Sequence, residues 1–374
     1  MNLRRMLVPG LAALAAVSGW CAASARAQET QGPIAPKPGV AVQKAPEGAI
    51  RVRVQSVTTP VTVRDARNEL VLDLRKENFH VTDNGVDQTI DSFDMGGEPL
   101  SVVLLLESSS RVAPLLPAVR KSGIVFTQTV VGTSGAAAVM AYDDGVQNVQ
   151  PFTRNHDWIE KAITTLKTGN SGAKLYDAMS KAVELLRGQS AQRRRVLIVL
   201  GEAQDTGSEE KLGEVLRQAQ LSNIVIYGVG LSSTAAALRS DQQPSATRPA
   251  TPEGTFGAPP APGTAQTPTS EAQKAGNIDL TALAEWAVRN AKAVVKDRPL
   301  EVATTGTGGM FESTFRDRTI ENAIDSIGGE LNAQYTLSYQ PAKSGDPGYH
   351  RIKVTVDRAG VNVRTRPGYY LEGN

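Results

Sequence analysis

The chain has 374 residues, 40% hydrophobic and 21% charged, so it is long enough for two or three domains and apolar enough to bury a real core. One cysteine excludes a disulfide scaffold, a zinc ribbon and an iron–sulfur site, and the three histidines, His80, His156 and His350, fall in unrelated stretches that do not make a metal-ligand cluster. The formal net charge of +2 owes its sign to the first segment: losing Arg4, Arg5 and Arg26 brings the 40 basic residues to one below the 38 acidic, which leaves no global basic field for a nucleic acid.

Residues 1–27 read as a secretory signal. Arg4 and Arg5 form a basic start, an apolar run follows from Met6 to about Trp20, and Ala25-Arg26-Ala27 is a cleavage site. The run is too short and too broken to span a membrane, and Cys21 leaves with it. Residues 28–48, with Pro33, Pro36, Pro38 and Pro46, read as an extended linker. Period-two alternation then starts at Arg51–Val54, and Asp83-Asn84-Gly85 between alternating runs signals a hairpin, giving an N-terminal β segment over 49–97.

From Leu100 the pattern changes. Nearly continuous apolar runs at Ser101–Leu106, Ala136–Ala141, Arg195–Leu200 and Asn223–Val229 suit strands buried on both faces of a parallel sheet. Helical spacing lies between them, at about 114–131, 155–167, 173–188 and 207–220, and resumes over Asp279–Val295, near Arg298–Ala303 and at Thr319–Leu331. Such alternation predicts an α/β, doubly wound, mostly parallel sheet over 98–330. A Pro/Ala/Thr-rich stretch at about 233–275 cannot bury enough surface to order itself and is predicted to be a disordered insertion. The tail, 331–374, is β again, with Tyr335–Tyr339, Ile352–Val356 and Val361–Tyr370. Neither β segment stands comfortably alone. The simplest solution joins them into one small β-sandwich-like domain with the α/β unit inserted; the alternative is two short sheets packed separately.

Leu104-Leu105-Leu106-Glu107-Ser108-Ser109-Ser110, with Ala141–Asp144, Gly172–Ala178 and Val196–Thr206, resembles a von Willebrand factor type A (VWFA) domain. Pro60–Gly85 and Gln334–Tyr370 are similar to the flanking regions of bacterial secreted VWFA-related proteins. The resemblance implies a Rossmann-type fold and a metal-ion-dependent adhesion site, with Asp-x-Ser-x-Ser, Thr and Asp on three loops. Carried across, Glu107 stands for the first Asp, Ser109 keeps the first Ser, Arg111 replaces the second, Ala173 stands for Thr and Glu202 for the last Asp. Each Glu extends its carboxylate by roughly 1.5 Å, Ala173 removes an oxygen, and Arg111 brings a permanent positive charge. The expected consequence is a degenerate, metal-free site in which Arg111 sits between Glu107 and Glu202 and stands in for the ion, so neither magnesium nor manganese, nor any other cofactor, is expected.

Other features have plainer readings. Glu107 with Glu202 lacks a nucleophile or histidine in the corresponding loops, so no catalytic residue is assigned. Ser108-Ser109-Ser110 has no nucleophile elbow around it and is read as a helix N-cap. Gly306–Gly309 is a turn, Asp144-Gly145 a hairpin turn and Arg193-Arg194-Arg195 a solvated strand entry, while Trp158, Trp286, Tyr335 and Tyr339 are expected to pack. Together these predict an exported, periplasmic or extracellular, non-enzymatic adhesion-type module that binds a protein partner, with no nucleic acid and no membrane span after signal removal. The alternatives are a structural or assembly component of the cell envelope and, third, a metal-dependent hydrolase.

Overall fold

The computed structural model describes residues 56–231, 279–292, 295, 298–314, 319–341 and 347–371. The signal, the linker, the Arg51–Val54 alternation and the insertion at about 233–275 lie outside them. Period-two patterning before residue 98 yields β1 (Val57–Arg64), β2 (Phe79–Asp83), β3 (Val86–Gln88) and β4 (Ile90–Met95). β2 and β3 are joined by Asn84 (φ 48°) and Gly85 (φ 81°), the left-handed pair that a two-residue hairpin turn requires.

The apolar runs become β5 (Leu100–Glu107), β6 (Ala136–Tyr142), β7 (Val146–Thr153), β8 (Arg194–Gly201), β9 (Ile224–Gly230) and β10 (Phe311–Ser313). They form a six-stranded sheet in the order β10-β9-β8-β5-β6-β7, parallel except for the β6–β7 hairpin. β5 and β9 are buried along their whole lengths because helices cover both faces.

On one face Leu104 and Leu106 of β5 meet α1 (Leu116–Lys121), α3 (His156–Thr164) and α8 (Ile320–Ala333), while α2 (Gly123–Val125) joins α1 to a π-helical turn at Phe126–Val131. On the other, Val103 and Leu105 meet α4 (Leu175–Arg187), α5 (Leu212–Leu221), α6 (Leu280–Arg289) and α7 (Pro299–Thr307). The period-two pleat of one strand therefore supplies two separate cores. The single helix expected over 114–131 is broken into these three pieces. Its end is rich in β-branched residues, which crowd a regular α-turn, and α8 presses on it at Gly328, where a Cβ would lie 2.7 Å from the Thr129 carbonyl oxygen.

The tail adds β11 (Tyr335–Tyr339), β12 (Gly348–Val356), β13 (Asn362–Thr365) and β14 (Gly368–Leu371). Two four-stranded antiparallel sheets result, β13-β1-β11-β4 and β14-β12-β2-β3, and each contains strands from both ends of the chain. They share a core of Val61, Phe79, Val81, Tyr335, Leu337 and Ile352, in which Phe79, Phe93 and Tyr335 pack with ring centroids 5.1–5.6 Å apart. Pro60 is tolerated in the interior strand β1 because pairing with β13 starts only at Val61, so its missing N–H is not needed.

Two expectations are corrected. Trp158 does not pack: it is 58% exposed, because the apolar face of α3 is Ile159, Ala162 and Ile163 and the indole lies one step off it. Arg193-Arg194-Arg195 is no solvated strand entry. Arg193 donates to the Ser101 hydroxyl and the Leu100 and Ser134 carbonyls, Arg194 to Leu331 O and the Gln334 amide oxygen, and Arg195 to the Ser222 and Gln189 carbonyls. Three guanidiniums in a row thus stitch the lower end of the sheet to the segments around it.

Candidate functional site

Chain order places β5 at the centre of the sheet, with β6 on one side and β8 on the other. The loops leaving β5 and β8 therefore diverge, which opens the crevice where doubly wound sheets bind ligands. Glu107 ends β5 and Glu202 follows β8, so the topology brings together two carboxylates far apart in sequence.

Glu107 is buried. Its Oε1 accepts the Ser109 hydroxyl at 2.5 Å, and its Oε2 accepts the Glu202 backbone N–H at 2.7 Å and the Tyr142 hydroxyl at 3.5 Å. Burial pushes its carboxyl above the usual carboxylate range, opposed by the hydrogen bonds from Ser109 and the Glu202 N–H. Tyr142 is pushed well above the usual phenol value by its own burial and by the neighbouring Glu107. Gly201 makes this arrangement possible: a Cβ there would lie 2.2 Å from the Tyr142 hydroxyl and 2.7 Å from Glu107 Oε2.

Arg111 turns the other way. Its Nε and Nη2 donate to Glu202 Oε2 at 2.8 and 2.5 Å, and Nη2 also reaches Gln204 Oε1 at 2.9 Å. The expectation that Arg111 bridges both carboxylates is thus corrected, since it pairs with Glu202 while Glu107 takes its hydrogen bonds elsewhere. The second oxygen, Glu202 Oε1, is buried without a partner. Ala173 is fully buried, and its N–H donates to the Thr206 hydroxyl at 2.6 Å while its carbonyl accepts the Thr206 N–H at 2.8 Å. The second and third loops are in this way tied together at Ala173 and Thr206.

The serines do not cap a helix. Ser108 donates to the Tyr142 carbonyl at 3.2 Å and Ser109 to Glu107, and neither α1 nor the short turn before it has a side-chain cap. Asp143 closes the hairpin turn, accepting the Gly145 N–H at 2.9 Å and the Asn170 N–H at 2.8 Å. Close contact between loops leaves no room for side chains at Gly169 and Gly172, whose Cβ positions lie 2.1 Å from Asp143 Oδ2 and 1.6 Å from Asp144 Oδ1. Sequence reading missed Tyr142, Gln204 and Thr206. All three fall within or beside the stretches Ala141–Asp144 and Val196–Thr206 that carry the resemblance, but their residue types point to no ligand there. Among the described residues no group of three His, Cys, Asp or Glu is placed to hold a metal ion, and no helix is long and apolar enough to cross a membrane.

Residues 103–204 match the family model of the von Willebrand factor type A domain, and the chain carries such a domain in this segment. No curated protein matches the sequence. Among solved structures, the conserved hypothetical protein BatB from Bacteroides thetaiotaomicron is 12% identical over 62% of this chain and 97% of its own, with a TM-score of 0.39. An aerotolerance-related membrane protein from Bacteroides fragilis is 13% identical over 62% and 98%, with a TM-score of 0.38. The vWF domain of the type V pili tip protein Mfa5 from Porphyromonas gingivalis is 17% identical over 30% and 40%, with a TM-score of 0.28.

Proposed function

We propose that the chain is an exported, non-enzymatic protein-interaction module whose contact face is the rim formed by Glu107, Ser109, Arg111, Ala173 and Glu202, and that this rim works without a bound divalent ion. The Arg111–Glu202 pair carries the reading. Magnesium requires near-octahedral oxygen ligands at about 2.0–2.1 Å. Here a guanidinium occupies one carboxylate, the Ser109 hydroxyl is committed to Glu107, and Ala173 offers no side-chain oxygen. Such a donor set does not fit the ion, and the permanent charge of Arg111 repels it. A non-enzymatic role is supported by the histidines, which are engaged away from the rim: His80 with Asp357, His156 with the Gly132 carbonyl and His350 with Asp83. Export rests on the signal-like residues 1–27 and is checked by N-terminal sequencing of the protein recovered from its producing cell.

The test is capture from the cell envelope, comparing the mature protein with a variant carrying Glu107→Asp, Arg111→Ser, Ala173→Thr and Glu202→Asp. Magnesium-independent capture by the natural rim, with magnesium-dependent capture only by the variant, is the expected outcome. Sub-millimolar magnesium or manganese binding to the natural protein by calorimetry overturns the metal-free reading. A second reading, envelope scaffold, is favoured by the salt-bridged closure of the rim together with exposed Val86 on edge strand β3 and Met95 on edge strand β4. Capture that survives Arg111→Ser but is lost when charges are placed at Val86 and Met95 selects it.

A further inference from the structure

At the opposite end of the parallel sheet, a cavity of about 180 Å³ lies where the β13-β1-β11-β4 sheet faces the start of β8 and β9. It is bordered by Arg193, Arg194, Arg195 and Arg366 and, on the acidic side, by Asp94 and Glu98. Exposed Ser92 and Gln192 also border it, so solvent reaches it. On its sheet side stand the Thr58 and Ser338 hydroxyls, 3.1 Å apart.

Arg366, in the link between β13 and β14, is only 4% exposed, yet it has no carboxylate within ion-pair distance among the described residues. Its Nη1 reaches the Gln220 carbonyl and Asn223 Oδ1 only at 3.5 Å, and its Nε is buried with no partner. Arg195 Nε is in the same condition, and the remaining Arg195 donors meet only backbone carbonyls. The two acids do not settle these charges. Glu98 lies 3.8 Å from Arg194, and Asp94 accepts the Ser92 hydroxyl at 3.0 Å. The charge of Asp83 acts on Arg366 only from a distance, being engaged by Tyr339, Tyr369 and His350, and the Tyr369 ring lies 5.7 Å from the guanidinium carbon. A buried guanidinium with no acid in contact is unfavourable, whereas the same fork facing an oxyanion makes two parallel charge-assisted hydrogen bonds. The space is large enough for a small solute with its bound water.

We infer that this cavity binds a small oxyanion, a phosphate or a carboxylate, with Arg366 as its anchor and Arg195 as its second cation. The site is independent of the rim, on the far side of the sheet, and the ligand joins the β-sandwich to the sheet edge it faces. Anion and fold are therefore linked: a ligand at a hundred times its Kd raises the folding equilibrium about a hundredfold.

The test measures thermal unfolding of the full mature chain against inorganic phosphate and, in a separate arm, succinate, each compared with chloride at matched ionic strength. A saturable rise in Tm with one of the two is expected, and which one responds identifies the ligand class. Two variants locate the effect. Arg366→Met removes the anchor, and Asn223→Asp supplies an internal carboxylate beside Arg366 Nη1 at a left-handed position (φ 50°) that Asp tolerates. Asn223→Asp is expected to raise Tm without ligand and to weaken the anion response at least tenfold, so the test stands even if Arg366→Met fails to fold. No saturable response from the natural protein, or an undiminished response from Asn223→Asp, overturns the site.

Discussion

The two ends of the parallel sheet handle buried charge in opposite ways. At the upper rim acids outnumber bases: Glu107 is satisfied by neutral donors, and Glu202 shares Arg111. At the lower seam bases outnumber acids, and Arg193 and Arg195 spend their donors on carbonyls and a hydroxyl. One acid at that end is fully matched. Glu330 of α8 is completely buried, salt-bridges both Arg64 at 3.3 Å and Arg364, and accepts the Tyr227 hydroxyl at 3.1 Å. The rim's few charged contacts join loops of a single domain. Those of the seam join β1 and β13 to α8 and β9, and so hold the sandwich to the α/β unit.

This contrast predicts where substitution is most costly. Glu330→Ala removes a buried carboxylate that pairs with two partly exposed guanidiniums and is expected to lose about 3 kcal/mol of stability, read by urea unfolding. A loss below 1 kcal/mol breaks the comparison, since the seam is then no stronger than the rim. Arg111→Ser breaks one ion pair where Glu330→Ala breaks two, leaves the buried Glu202 carboxylate without its cation, and is expected to cost about 2 kcal/mol by the same measurement. It also leaves a carboxylate free to recruit cations, so magnesium dependence of Tm should appear where the natural protein has none.

A smaller effect is read from pH. Because burial raises Glu107 in the folded state, the folded protein holds that proton more tightly than the unfolded chain does. The stabilisation is complete below the ordinary carboxylate range and is lost as pH rises through the raised value. Glu107→Gln keeps the neutral form, donating to Ser109 and accepting the Glu202 N–H, and is expected to flatten that part of the stability–pH curve. An unchanged curve means that folding does not shift the Glu107 carboxyl. The smallest effect is expected at Trp158, away from both ends. Trp158→Ala should change stability by no more than about 0.5 kcal/mol, and any larger change in partner capture marks α3 as part of the contact face.

Where local pattern sets the outcome, the sequence was enough. Val102–Leu106 had to lie between two layers because no face of it is polar, and Asn84-Gly85 had to turn because few other pairs accept two left-handed residues. The strands at Tyr335–Tyr339 and Ile352–Val356 were equally legible. Side-chain partnerships were not. Arg111 had two carboxylates in prospect and took one, because Tyr142 and the Glu202 N–H had already claimed Glu107. Tyr142 was not singled out as a site residue, since its role depends on the absence of a side chain at Gly201 of β8, two strands away across β5. The arginine triplet misled for the same reason, as its acceptors lie up to 140 residues away in the chain.

The sequence alone therefore determined the alternation of strand and helix and the doubly wound sheet, both of which follow from periodicity and residue type within short windows. Only the tertiary structure decided that the two ends of the chain interleave in both sheets of one sandwich, that Arg111 belongs to Glu202, and that Arg366 is buried beside a cavity with no carboxylate in ion-pair contact among the described residues. Strand pairing and charge pairing depend on which distant segments meet, and a buried charge has no local pattern to announce the partner it lacks.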